Sequence, residues 1–481
     1  MAFILWIFGV ETGNAKEPNV LFILTEDQGA HLSLLETPGL KTPSIDVLAS
    51  SSVYFENAFV SYPVCSPSKA AIYTGLHNHT NGILNNTHNF HMPASEVTDE
   101  QRSLKLARTN RIHSRYSTLT EILHRNGYYQ GVTHKLHVLP NEKFPYDEFL
   151  HGTKREVERF IQNASDLDRP WFLMVNIPNS HRPFPNSDKE SISVDPKQVE
   201  LPPYLPDTPE VRKDWSEYLA AIEEADHLVG ETLAILEDSG HSDNTIVIFM
   251  SDHGPTFPHG KMTLYDLGLR VPLIIRMPDV TPRRSEALVS ELDLMPTILE
   301  LCSIEDPLEY SLDGKSLAGL LTQPIDETTH NYQFAEISNR GPLPNDGIQE
   351  RCIFDERWKL IYRNNVDKAW RQVNADSRQL KVWGNRSYGE TLRWKDNFPE
   401  AFRVLAEMDP QNLEGEVPSL EVYDLQMDPH EMNNLAGEPA VSIHRNRLLQ
   451  ALAEWVRSTQ DPAVSPDAIE ALKTVTKSAQ E

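Results

Sequence analysis

The chain has 481 residues, 39% hydrophobic and 24% charged, the balance of a folded globular protein long enough for more than one domain. Its formal net charge of −26, from 44 Lys+Arg against 70 Asp+Glu, excludes the broad basic face that nucleic-acid binding requires. Three cysteines, Cys65, Cys302 and Cys352, are too few for a disulfide framework and show no metal-binding spacing; whether Cys302 and Cys352 pair is left open.

Residues 2–10 (AFILWIFGV) form an apolar run followed by Gly13-Asn14-Ala15, the pattern of a secretory h-region and cleavage site without its basic n-region. The run is too short to span a membrane, and no later stretch reaches that length. Residues 19–24 (NVLFIL) suit a buried parallel strand. The strand ends in Glu26-Asp27, adjacent carboxylates where open α/β sheets place their sites. Such a pair repels unless a cation lies between, so a divalent metal is expected. Pro43 opens a helix, and residues 53–59 form the next strand. That strand delivers Cys65-Ser66-Pro67-Ser68-Lys69-Ala70-Ala71-Ile72-Tyr73-Thr74-Gly75, read as a helix with Ser66 as N-cap and Gly75 as stop. Cys65 then meets the positive helix terminus, which lowers a thiol's pKa.

A helix over 117–126 and a strand over 128–132 lead to Lys135 and His137. On an extended segment these alternate residues point to one side and His134 to the other. Residues 171–177 form another buried strand, followed by His181. A Pro-rich stretch over 201–209 reads as a loop over the site, and 210–239 as a long packing helix. Residues 245–250 form a further strand ending in Ser251-Asp252-His253-Gly254, with Lys261 and an Arg270-Val271-Pro272-Leu273 strand after it. A helix over 291–301 follows. Residues 332–337, 352–354, 358–362 and 422–425 read as antiparallel strands, 364–418 as a polar excursion, 440–460 as a helix, and the tail beyond Pro462 as loose.

Cys-Ser-Pro-Ser-Lys followed by Ala-Ala-Ile-Tyr-Thr-Gly resembles the type I sulfatase signature C-x-P-S-R-x-x-x-x-T-G, with Lys69 for Arg. The opening strand with Glu26-Asp27, the Lys135-x-His137 pair, His181, Ser251-Asp252-His253-Gly254 with Lys261, and the 422–436 segment match the family's other motifs in order. The sulfamidase-like branch fits best. The resemblance implies an α/β fold with a large, mostly parallel, alkaline-phosphatase-like sheet flanked by helices, plus a small C-terminal domain with a four-stranded antiparallel sheet. Expected boundaries are a signal remnant over 1–17, a catalytic domain over 18–330, the small domain over 331–460 and a tail over 461–481.

The same resemblance implies that Cys65 is converted to formylglycine (3-oxoalanine) by a formylglycine-generating enzyme. It makes Glu26, Asp27, Asp252, His253 and residue 65 the ligands of a divalent ion, Ca²⁺ in the family. An imidazole at position 253 is more usual for Mn²⁺ or Zn²⁺. Lys69, Lys135 and Lys261 would contact sulfate, His181 would act as acid and His137 as base. The expected substrate is a sulfated carbohydrate, and the expected location is periplasmic or secreted, lysosomal in a eukaryote. Two other readings stand beside it: a phosphonate or phosphodiester hydrolase of the same superfamily, and a non-catalytic binder of sulfated glycans.

Overall fold

A computed structural model of the chain describes residues 17–474 except 185–192, 306–307, 324–329, 339–348, 365, 367–385 and 409–416. The apolar run over 2–10 and its cleavage pattern lie outside the described residues.

Among the described residues, twelve strands make two sheets. In chain order they are β1 (Asn19–Thr25), β2 (Val53–Phe59), β3 (Tyr129–Thr133), β4 (Glu148–Leu150), β5 (Trp171–Ile177), β6 (Thr245–Ser251), β7 (Leu273–Arg276) and β8 (Arg283–Ser290), then β9 (Gln333–Ser338), β10 (Gln349–Phe354), β11 (Trp358–Asn364) and β12 (Leu420–Asp424). The first eight form one sheet in the order β4-β3-β5-β1-β6-β7-β2-β8. Its pairs are parallel except those of β7, which runs antiparallel to both β6 and β2. Of the Arg270–Leu273 stretch read as one strand, only Leu273 lies in β7; a short helix (Asp266–Leu269) ends before it, Arg270 makes an isolated antiparallel bridge to Phe59, and Val271 N donates to Ala58 O.

Alternate side chains of β1 enter different cores: Val20, Phe22 and Leu24 on one face, Leu21 and Ile23 on the other. Burial on both faces is why this strand reads as unbroken apolar sequence. Helices Pro43–Ser50, Lys154–Asp166 and Pro209–Asp238 cover the Leu21 face, and Cys65–Thr74, Leu119–Arg125 and Leu294–Leu301 cover the Phe22 face.

Strands β9 to β12 form the second, wholly antiparallel sheet. One face packs on helix Ser442–Ser458 through Leu360, Val422, Leu448 and Leu452. The other reaches the large sheet's core through Ala335, Ile337, Cys352 and Tyr423. The 364–418 excursion contributes helices Arg386–Arg393 and Pro399–Met408, of which the first packs on Pro209–Asp238. The expected loose tail is not loose where it is described. Residues Pro466–Ala471 form a helix against Ser442–Ser458, with Ser465 accepting from Ala468 N and Ile469 fully buried. Cys302 and Cys352 are both free, buried thiols.

Candidate active site

The register of the large sheet brings the carboxyl ends of β3, β5, β1 and β6 side by side, since Thr25 pairs with both Ile177 and Ser251. The ladder continues one step past the strands: Glu26 N donates to Ile177 O (3.1 Å) and Asp252 N to Thr25 O (2.9 Å). Lys135 and His137 follow β3, His181 follows β5, Glu26 and Asp27 follow β1, and Asp252 and His253 follow β6. All lie in the crevice where open α/β sheets bind ligands.

Cys65 arrives from the other side on its helix. The helix runs Cys65–Thr74, its first residue is the cysteine itself, and Val64 occupies the N-cap. Ser66 is therefore inside the first turn and caps nothing; Asn86 Oδ1 accepts from Ser66 N (3.1 Å), doing the work assigned to a cap. Gly75 ends the helix at φ 61°, as its position requires. All ten helical residues are buried, Lys69 among them.

Around Cys65 Sγ stand His253 Nε2 at 3.3 Å, Lys261 Nζ at 3.4 Å and Asp27 Oδ1 at 3.9 Å. His253 Nε2 is also 3.5 Å from Asp27 Oδ1 and 3.6 Å from Asp252 Oδ1. The Nδ1 of His253 sits 2.8 Å from Gly254 O, which assigns its proton to that nitrogen in the neutral ring and turns the Nε2 lone pair inward. Ligating atoms of Asp27, Cys65, Asp252 and His253 all lie within 4.8 Å of one another, and all four residues are buried. Two carboxylates, an imidazole and a sulfur at this spacing suit a divalent cation.

Glu26 does not join that group among the described residues. Its Oε1 meets Lys69 Nζ at 2.9 Å and its Oε2 meets Lys135 Nζ at 2.6 Å. Lys69 reaches on to Asp252 Oδ2 at 3.3 Å, while Lys261 pairs with Asp27 at 2.9 Å. Three carboxylates thus face three ammonium groups within one buried cluster. Burial alone would raise the pKa values of Glu26 and Asp27, but Lys69 and Lys135 hold the first below its ordinary value, and Lys261, with His181 and His253, holds the second below. Burial raises that of Asp252. Burial also opposes ionisation of Cys65, yet Lys135, Lys261 and His253 bring its thiol well below the usual range. His253 is disfavoured as a cation by burial and favoured by Asp252, Cys65 and Asp27, which carry its pKa up to about 9.

Lys135 and His137 both reach this centre, but not as neighbours on an extended strand. His134 and His137 have φ of 54° and 52°, so the chain turns through left-handed residues where alternation was expected. His137 Nε2 is held on Thr87 O at 2.9 Å, and its imidazole is among the groups that lower the Cys65 pKa. Burial lowers the pKa of His137 itself, favouring the neutral base. Asp27 is also left-handed at φ 53°, and strained non-glycine backbone of this kind gathers at functional sites. His181 is half-buried with Nδ1 2.5 Å from Arg182 O. The 201–208 loop lies beside the site, Tyr204 packing 4.6 Å from the His259 ring two residues before Lys261.

Several supporting residues carried no signal in the sequence. Thr256 Oγ1 donates to Asp27 Oδ2 (2.8 Å), and Ser180 Oγ donates to Glu26 O (2.6 Å). Arg182, next to His181, forms a buried two-bond pair with Asp214 (2.7 and 2.8 Å), which also accepts from Ser387. Thr256 stands within the Ser-Asp-His-Gly-Pro-Thr run, so proximity to that motif was the one available hint.

Comparison with known proteins finds relatives over most of the chain. The family model described as Sulfatase matches residues 18–304, and that described as N-sulphoglucosamine sulphohydrolase, C-terminal, matches 256–388. The human N-sulphoglucosamine sulphohydrolase is 29% identical, over 95% of this chain and 93% of its own. An ulvan-active sulfatase of Formosa agariphila is 29% identical, over 94% and 77%. The phosphonate monoester hydrolase of Agrobacterium radiobacter shares the fold, with TM-score 0.64 and 18% identity over 93% of this chain and 96% of its own.

Proposed function

The chain belongs to the sulfatase family, whose members are sulfuric ester hydrolases, and from that premise we propose that it hydrolyses sulfate esters or sulfamates on a sulfated saccharide, using formylglycine at residue 65. The observation that carries the reading is the Cys65 environment: a buried thiol within 3.9 Å of a carboxylate, an imidazole and an ammonium group, in a donor cluster suited to a divalent cation. The −3 of Glu26, Asp27 and Asp252 is balanced by the +3 of Lys69, Lys135 and Lys261. A bound divalent ion leaves this inner cluster at about +2, which calls for an anionic substrate even in a chain of net charge −26.

Asp27, Asp252 and His253 would hold the ion, which supplies charge neutralisation on sulfate and a lowered pKa for an oxygen nucleophile. Formylglycine, as its hydrate, supplies that nucleophile and a second hydroxyl for expelling sulfate, a step that thiol or serine cannot complete. The remaining chemistry belongs to residues already in position. Lys135 and Lys261 offer preorganised positive charge to the sulfuryl oxygens, and Lys69 backs them through Glu26 and Asp252. His181 donates a proton to the departing sugar oxygen or nitrogen. His137, kept neutral by burial, accepts the proton lost when sulfate is expelled.

The reading is tested by mass analysis of the Cys65 peptide from protein co-expressed with a formylglycine-generating enzyme. An aldehyde in place of the thiol is the expected result. An intact cysteine under those conditions contradicts the mechanism and favours the glycan-binder reading.

A further inference from the structure

We propose that Asp214 is a positioning residue for proton transfer to the leaving group, acting through Arg182 on His181. The inference rests on the reading of His181 as the acid, and adds the groups that fix where its proton is held.

His181 follows β5 in a turn outside helix and strand, where contacts must fix the ring. Two pins flank it. On one side Ser180 Oγ donates to Glu26 O (2.6 Å). On the other, the Arg182 guanidinium donates through Nε to Thr256 O (3.2 Å) and through both terminal nitrogens to Asp214 (2.7 and 2.8 Å). Thr256 Oγ1 in turn donates to Asp27 Oδ2 (2.8 Å). Both pins therefore lead to the Glu26-Asp27 turn, and the acid is held in register with the candidate metal centre. The ring is held from the same residue. Its Nδ1 lies 2.5 Å from Arg182 O, a carbonyl that can only accept, so Nδ1 keeps its proton in both charge states. The transferable proton is then the one on Nε2. A shift of residue 182 moves that carbonyl, and with it the ring.

The Arg182 side chain is committed to this task. It is 3% exposed and that of Asp214 1%, with the guanidinium 4.5 and 4.6 Å from the ring centroids of Phe184 and Phe257. Asp214 cancels the charge that sulfate would otherwise meet beside the acid, and the planar two-bond pairing fixes orientation as well as distance. Asp214 also accepts from Ser387 N (3.1 Å) and Oγ (2.7 Å). It lies on helix Pro209–Asp238 and Ser387 on helix Arg386–Arg393, so the acid takes its place from the long helix and from the 364–418 excursion together.

The test uses full-length protein carrying formylglycine, with kcat and KM measured on a saccharide sulfate and on an activated aryl sulfate whose leaving group needs no proton. Asp214→Asn is expected to lower kcat on the saccharide by about 10–100-fold, the scale that a displacement near 1 Å produces, with less than about threefold change in KM and in the aryl sulfate rate. Added to His181→Ala, the same substitution is expected to cost less than about threefold more, because the group it positions is gone. Arg182→Lys keeps the charge but loses the fork and should show the same pattern, with Ser387→Ala a weaker one of about two- to fivefold. Equal losses on the two substrates, or an Asp214→Asn loss undiminished in the His181→Ala background, would make the pair structural alone and overturn the proposal. Should Asp214→Asn not fold, Arg182→Lys and Ser387→Ala decide it by the same two comparisons. His181→Ala by itself reports on the acid: equal losses there would contradict the reading of His181, and not only its link to Asp214.

Discussion

Lys69 Nζ, almost wholly buried, spans Glu26 Oε1 and Asp252 Oδ2 with one point charge where a guanidinium would offer a planar fork. Removing that charge with Lys69→Met leaves two carboxylates short of a partner, and a loss of roughly 3–5 kcal/mol is expected by denaturant unfolding. His181→Ala should instead spare the fold and lower kcat by about 10²–10⁴ on saccharide sulfates, with a smaller loss on activated aryl sulfates whose leaving group needs no proton. Equal losses on both substrates would remove His181 from the acid's role. Residue types at the site were legible because carboxylates, lysines and histidines stood directly after apolar runs. Their partners were not. Adjacent Glu26 and Asp27 look equivalent in sequence, and tertiary contacts with Lys69, Lys135 and Lys261 tell them apart. Lys135 and His137 reach the site through left-handed backbone at His134 and His137, which side-chain alternation cannot foresee.

At the scale of elements, the turn after β6 leaves no room for a side chain. A Cβ on Gly254 would lie 1.6 Å from Leu267 O, a backbone atom, whereas one on Gly319 would meet nothing within 4 Å. Gly254→Ala should therefore displace His253 and lower the melting temperature sharply, while Gly319→Ala stays near wild type. Below that turn, Glu291 accepts from Ser61 N and Oγ at the entrance to the Cys65 segment, and burial pushes its pKa up to about 8. The folded state then holds a proton that the unfolded chain releases near pH 4.5. Stability from this group is complete below that pH and is lost as pH rises toward 8, and Glu291→Gln should flatten the corresponding slope of melting temperature against pH. The buried strands were readable since both faces are apolar, as was the long helix, which begins at Pro209, one residue before the expected start. The Cys65 helix cap was misassigned because the first turn is satisfied from Asn86, twenty-one residues ahead of Cys65 in the chain, and no local pattern announces such a donor–acceptor pair.

Across the whole molecule, the C-terminal sheet is tied to the large one by buried charge as well as apolar packing. Arg351 on β10 pairs with Asp461 at 2.5 Å and Glu336 at 3.4 Å, and Glu336 in turn holds His79 at 3.0 Å. Asp461→Ala leaves Arg351 with part of its compensation only, and a cost of about 3 kcal/mol or more is expected in one cooperative transition. Separate transitions for the two sheets would contradict this coupling. The segment after Pro462 reads as loose in sequence, yet Ile469 buries completely against a helix whose position depends on the second sheet. Overall charge was informative in one direction only. It argued against the broad basic face that nucleic acid needs, and the lysine trio that favours an anion is concentrated within the crevice at the strand ends. Removal of sulfate from a sugar through residue 65 is the reaction proposed for this crevice. Its most direct test is release of inorganic sulfate from heparan-type and ulvan-type oligosaccharides by protein co-expressed with a formylglycine-generating enzyme, with Cys65→Ser and a phosphonate monoester as comparators. Sulfate release by the modified protein, none by Cys65→Ser, and slower turnover of the phosphonate are expected. Faster turnover of the phosphonate, or sulfate release undiminished in Cys65→Ser, would contradict the proposed reaction.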